Sequence, residues 1–131
     1  KTLDEMGVEY DDLGTNSPDS VDYPDYAERV AKGVASGEAE RGILVCGSGI
    51  GMEIAANKVP GIRAALAWNE ETAKLARRHN DANIVAVGSR TTPRETIDQI
   101  VRAFLTTDFE GGRHRSRIEK IAKLEEESLR K

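Results

Sequence analysis

Cys46-Gly47-Ser48-Gly49-Ile50-Gly51 packs a thiol, a hydroxyl and three glycines into six residues. Glycine at that density lets the backbone curl around a ligand and aim several N–H groups into one concavity, which suits a phosphate or a developing oxyanion. A helix starting there favours the thiolate of Cys46, making it available as a base or nucleophile. A tight turn around an inert, buried cysteine would use the same residues. The spacing is G-x-G-x-G, not the G-x-G-x-x-G of dinucleotide sites, and no acidic residue closes the next apolar run, where Trp68 and Asn69 stand, so NAD binding is disfavoured. His79-Asn80-Asp81 forms a second polar cluster, although a histidine at a helix end often only complements the helix dipole. Arg113 and Arg117, spaced i, i+4, point the same way on a helix, either as a phosphate clamp or as a solvated face. Arg90, just after Gly88-Ser89, is another candidate anion contact.

The elements that must hold these groups alternate regularly. Leu3 and Met6 fit the last turn of a helix stopped by Gly7, Val8 to Leu13 reads as a short strand, and Gly14 to Asp22 as a loop. Pro24 opens a helix with Tyr26, Ala27, Val30, Ala31 and Val34 on one face. Three apolar runs, Gly42 to Cys46, Ile62 to Ala67 and Ile84 to Val87, read as buried strands. Between them lie helices from about Gly51 to Lys58 and, capped by Asn69, to about His79. Thr92-Pro93-Arg94-Glu95 reads as a capping box with proline at N1, before a stripe of Ile97, Ile100, Val101, Phe104 and Leu105. A charged helix over about 113–130 follows Gly111-Gly112 and is placed either on a neighbouring subunit or as a solvated tail. Strands apolar throughout, alternating with amphipathic helices, predict one three-layer α/β domain over residues 1–131, with a parallel sheet covered on both faces.

Composition narrows the partners. The 131 residues are 38% hydrophobic, enough for one modest core, and 23 acidic against 19 basic side chains give a net charge of −4. That balance argues against nucleic acid. A single cysteine excludes an intrachain disulfide and a zinc site built on several thiolates, and makes a reducing cytoplasm the expected compartment. No apolar run approaches the roughly 18 residues of a membrane helix, so no membrane partner is expected.

Topology separates the two clusters. Cys46 follows its strand and sits at the carboxyl edge of the sheet, where α/β ligands collect; His79 precedes its strand and sits at the amino edge, roughly 15–20 Å away. If both act in one reaction, the site must be assembled across a dimer interface.

Taken in order, Asp22-Tyr23-Pro24, Gly42 to Gly51 (GILVCGSGIG), Ile54 to Lys58 (IAANK), Gly61 to Ala64 (GIRA), His79-Asn80-Asp81, Gly88-Ser89-Arg90 and Glu110 to His114 (EGGRH) resemble the type B ribose-5-phosphate isomerases, a family that also includes galactose-6-phosphate isomerase subunits. The resemblance implies a cofactor-free, metal-free aldose–ketose isomerisation between ribose 5-phosphate and ribulose 5-phosphate through an enediol(ate). It assigns Cys46 as the general base, Ser48 and the Gly47, Gly49, Ile50 and Gly51 backbone to the enediolate oxygen, and His79 to opening the furanose ring. Asn80 would contact a substrate hydroxyl, Tyr23 would line the pocket, and Arg90, Arg113 and Arg117 would hold sugar and phosphate. It also implies a homodimer with shared sites, with a dimer of dimers left open. Two departures stand out. Where some members carry a glutamate just after the loop glycines, this chain has Met52, with Glu53 one position further on, which assigns it to the cysteine subtype. Members begin with a strand ending in an Asp-His pair, which lies in the sheet between those matching Val8 to Leu13 and Gly42 to Cys46. No such segment precedes Lys1, so the native polypeptide is expected to carry about twenty further residues, a strand plus most of a helix. A hexose 6-phosphate isomerase and a non-catalytic nucleotide- or phosphosugar-binding module are the alternatives.

Overall fold

The computed structural model describes residues 2–14 and 22–130. Its centre is β3 (Ile84–Gly88), buried at every residue, with β1 (Gly42–Cys46) on one side and β2 (Ala64–Leu66) on the other. All pairings are parallel: Gly42 lies opposite Ile84 and Cys46 opposite Gly88, while Ala64 and Leu66 face Ile84 and Ala86.

Strand alternation sorts the core into two layers. Ile84 and Ala86 point to the face covered by α2 (Tyr23–Ala35) and α3 (Ile50–Ala56), packing with Ala27, Ala31, Leu44, Met52 and Ala56. Val85 and Val87 point to the face covered by α4 (Glu70–Asn80) and α5 (Arg94–Thr106), against Ala73, Ala76, Ile100, Ala103 and Phe104. Burying side chains the size of Phe104 or Ile100 contributes roughly 1.5–3 kcal/mol apiece. This is the expected three-layer α/β arrangement. α1 (Thr2–Met6) ends at Gly7, whose φ of 69° is the left-handed stop that the sequence suggests, and α6 (Arg113–Leu129) closes the chain.

Several local expectations are corrected. Val8 to Leu13 forms no strand: Val8, Tyr10 and Leu13 are exposed, and among the described residues no strand lies beside the segment to take up its backbone N–H and C=O groups. Among the described residues β1 therefore has no neighbour on its outer side, and Val45, expected to be buried in an apolar strand, is half exposed. Apart from its ends, the loop expected over Gly14 to Asp22 lies outside the described residues. Thr92 does not cap α5. Pro93 takes the cap position without a side-chain bond, and Thr92 is buried with its N–H on the Gly88 carbonyl at 3.0 Å. The capping box forms at α4 instead, where Thr72 N–H donates to Asn69 Oδ1 at 2.8 Å and Asn69 N–H to Thr72 Oγ1 at 3.3 Å.

The turn between α4 and β3 is fastened by charge. Asp81 adopts a left-handed conformation (φ 45°, ψ 44°). Its Oδ1 accepts from Arg77 at 2.9 Å and its Oδ2 from Arg63 at 3.3 Å, while Arg63 Nε donates to its carbonyl at 2.9 Å. Arg77 is buried, and donates further to the Thr107 and Ala82 carbonyls at 2.9 and 2.7 Å. Among the described residues, no helix is long and apolar enough to cross a membrane.

Candidate active site

Cys46 ends β1, and the chain turns over Gly47–Gly49 into α3. Gly49 permits the turn: its φ is 81°, and a Cβ there would come within 2.6 Å of Leu66 Cδ1 and 2.9 Å of the Val87 carbonyl carbon. Its N–H donates to Cys46 Sγ at 3.2 Å, so a main-chain dipole points at the sulfur, and the Ile50 N–H donates to Ser48 Oγ at 3.3 Å. Gly88 is equally constrained, because a Cβ there would lie 2.6 Å from the Ser48 carbonyl group. The loop after β3 is tied to the loop after β1 by Ser89 N–H on Cys46 O at 2.7 Å and Arg90 N–H on Gly47 O at 2.9 Å.

Together these loops border a cavity of about 440 Å³ lined by Tyr23, Cys46, Gly47, Ser48, Gly51, Arg90 and Thr91. That size suits a small ligand. Tyr23 packs on Gly51, which has no room for a side chain beneath the ring, and Arg90 lies along Gly47. Cys46 is half-buried and free. Of the residues singled out in sequence, Gly49 and Ile50 sit in the same loop outside this lining, with their N–H groups turned toward Sγ and Ser48 Oγ.

His79, Asn80, Arg113 and Arg117 occupy the opposite end of the sheet. His79 and Asn80 close α4 just before β3 starts, whereas Cys46 pairs with the last residue of β3, about 13 Å of strand further on. Glu110 N–H donates to the Arg78 carbonyl at 3.0 Å, and Gly111 and Gly112, with φ of 72° and 56°, swing α6 back over the end of α4. His114 thereby stacks on His79 with centroids 4.2 Å apart and planes 17° from parallel, its Nε2 lying 3.7 Å from Glu110 Oε1. Asn80 belongs to the border of a larger cavity of about 760 Å³ between β2, α4 and α6.

The profile of the ribose/galactose isomerase family matches residues 1–121. The chain belongs to this family. The ribose-5-phosphate isomerase B of Escherichia coli is 49% identical to it over 124 residues, 95% of this chain and 83% of its own. YwlF of Bacillus subtilis is 53% identical over 128 residues, 97% and 86% of the two chains. The solved ribose-5-phosphate isomerase B of Clostridium thermocellum superposes with a TM-score of 0.94 at 48% identity, covering 96% of this chain and 85% of that one.

Thr91, His114 and Glu110 complete what this family member gathers at its two edges, and sequence reasoning gave none of them a role. Glu110 and His114 did carry a signal, an i, i+4 acid–imidazole pair across two glycines. His114 is buried, and that burial, reinforced by His79 and Arg113 with a smaller push from Arg117, holds its imidazole below the ordinary 6.5, against the opposing pull of Glu110. The folded chain therefore resists a proton that the unfolded chain takes up. This contribution to stability is complete above about pH 6.5 and is lost as pH falls toward the folded value. His114→Phe should accordingly lose less stability than the native chain between pH 7.5 and 5.5 in chemical denaturation, and an equal loss would refute the assignment.

Proposed function

We propose that the chain interconverts ribose 5-phosphate and ribulose 5-phosphate without a cofactor, in a site built from two copies of the chain. The supporting observation is the placement of Cys46: a half-buried thiol, an N–H on its sulfur, on the wall of a cavity that also presents Ser48, Tyr23 and Arg90. The thiolate takes the C2 proton of the open-chain aldose and returns it to C1, and the electron pair passes through an enediolate. The loop backbone and Ser48 face the oxygen on which negative charge develops. His79 of the partner protonates the ring oxygen so that the furanose opens, Asn80 steadies a hydroxyl, and Arg113 and Arg117, one turn apart at the exposed start of α6, hold the phosphate.

A shared site fits the surface. Cys46 and His79 lie at opposite ends of the sheet within one chain. Trp68, Ile121, Leu124 and Leu129 are 61, 47, 67 and 63% exposed, an apolar stretch of α6 and its surroundings that a second copy would cover. A solved relative from Mycoplasma genitalium, 45% identical with a TM-score of 0.91, is described with bound ribulose-5-phosphate.

The direct test measures ketose formation from ribose 5-phosphate beside galactose and allose 6-phosphates. The reading requires the pentose phosphate to give the highest kcat/KM; preference for a hexose phosphate would move the assignment to that sugar, and no turnover of any would leave a binding module.

A further inference from the structure

The cluster at the amino edge has a donor set that proton transfer alone does not use. We propose that His79, Glu110 and His114 form a binding site for a borderline divalent metal ion of the zinc class. One ligand atom from each residue lies within 4.8 Å of the other two. The three come from separate elements held by the backbone: the last turn of α4, the segment bonded to the Arg78 carbonyl, and the first turn of α6 behind the glycine pair. Around a tetrahedral ion with bonds of about 2.0–2.2 Å, donors stand roughly 3.3–3.6 Å apart. Glu110 Oε1 and His114 Nε2, at 3.7 Å, are already near that spacing. The remaining contraction falls to side-chain torsions of exposed Glu110 and half-buried His79.

Two imidazoles and a carboxylate suit zinc, cobalt or nickel and not magnesium or calcium, which prefer oxygen alone. Three protein ligands also leave a fourth position for water or a substrate oxygen. As stacked, the two rings hold their in-plane nitrogen lone pairs nearly parallel and not convergent, so shared coordination requires His79 to rotate out of the stack until its nitrogen points at the ion held by Glu110 and His114. Arg113 and Arg117 begin the same helix and oppose a cation, so binding should be weaker than at a structural zinc site. A metal held here occupies His79. On the reading of His79 as the ring-opening acid, on which this consequence rests, occupancy inhibits turnover of the cyclic sugar.

Cobalt(II) is the probe, because tetrahedral coordination gives visible absorption that an unstructured surface complex lacks. Titration of the purified chain should show one ion per chain. Glu110→Gln should weaken it about 10-fold or more, and His114→Gln should abolish it. His79→Gln serves as a second ligand variant should His114→Gln fail to fold, and Cys46→Ala should leave the spectrum unchanged. No uptake, uptake that survives both Glu110→Gln and His79→Gln, or uptake lost in Cys46→Ala overturns the site. Ribose 5-phosphate turnover followed in the same titration separates the two claims: inhibition that tracks occupancy supports both, whereas full occupancy with undiminished turnover keeps the metal site and removes His79 from ring opening.

Discussion

Replacing Cys46 with alanine should lower kcat on ribose 5-phosphate by about 10²–10⁴-fold, the range that a positioned general base contributes, with KM close to native. Among the described residues of the cavity wall, the thiol is the only group suited to accept a proton from carbon. Ser48 is an alcohol, Tyr23 a phenol, and Arg90 has no lone pair to offer. Glu53, the first acidic residue after the glycine loop, is turned away, its carboxylate taken by the Leu66 N–H. The substitution leaves a cavity of one sulfur at a half-buried position, so folding should survive and phosphosugar binding should persist. Stopped-flow or coupled assays beside calorimetric titration with a substrate analogue give the readout. Native turnover in the variant would dismiss the thiol as base, and loss of binding together with turnover would recast it as a packing residue.

Mixing two inactive proteins should restore activity. Cys46→Ala and His79→Gln each disable every site of their own homodimers if the thiol and the imidazole meet across an interface. In a random mixture half the dimers are heterodimers, and each holds one site with both groups native and one with neither, so about a quarter of native activity should return. Co-expression with two different tags, followed by sequential affinity purification, isolates the heterodimer. A mixture as inactive as its components would mean that the two residues act within one chain or not together at all. The placement of the two groups at opposite ends of the sheet, one closing β1 and the other closing α4 ahead of β3, makes that intramolecular alternative geometrically costly, since the sheet would have to shear to join them.

Helical signals were legible wherever one face is apolar and the other charged, which is why α2, α4 and α5 lie within a residue or two of their expected bounds. β3 was legible because a strand buried on both faces leaves an uninterrupted apolar run. Val8 to Leu13 misled because extended, partly apolar sequence looks the same whether or not a neighbouring strand exists, and pairing is a property of the sheet. Thr92 misled in a similar way: a threonine before proline is a good cap in isolation, but the pull of the Gly88 carbonyl and burial turned it inward. At the candidate site, glycine spacing after an apolar strand was enough to place Cys46 at a strand end beside a turn into a helix. The stack of His114 on His79 was not, because it depends on how α6 returns over α4, which two left-handed glycines decide and no periodicity records.

The left-handed aspartate after α4 has a consequence for anyone seeking a hardier protein. A common recipe swaps such a residue for glycine, which relieves left-handed strain of about 1–2 kcal/mol and gives back roughly 0.5–1 kcal/mol in unfolded-chain entropy. At Asp81 the swap would also strip a carboxylate from two guanidiniums, one of them sealed inside, and an orphaned buried donor costs on the order of 1–3 kcal/mol. The recipe should therefore backfire, and thermal tolerance is better sought elsewhere on the chain.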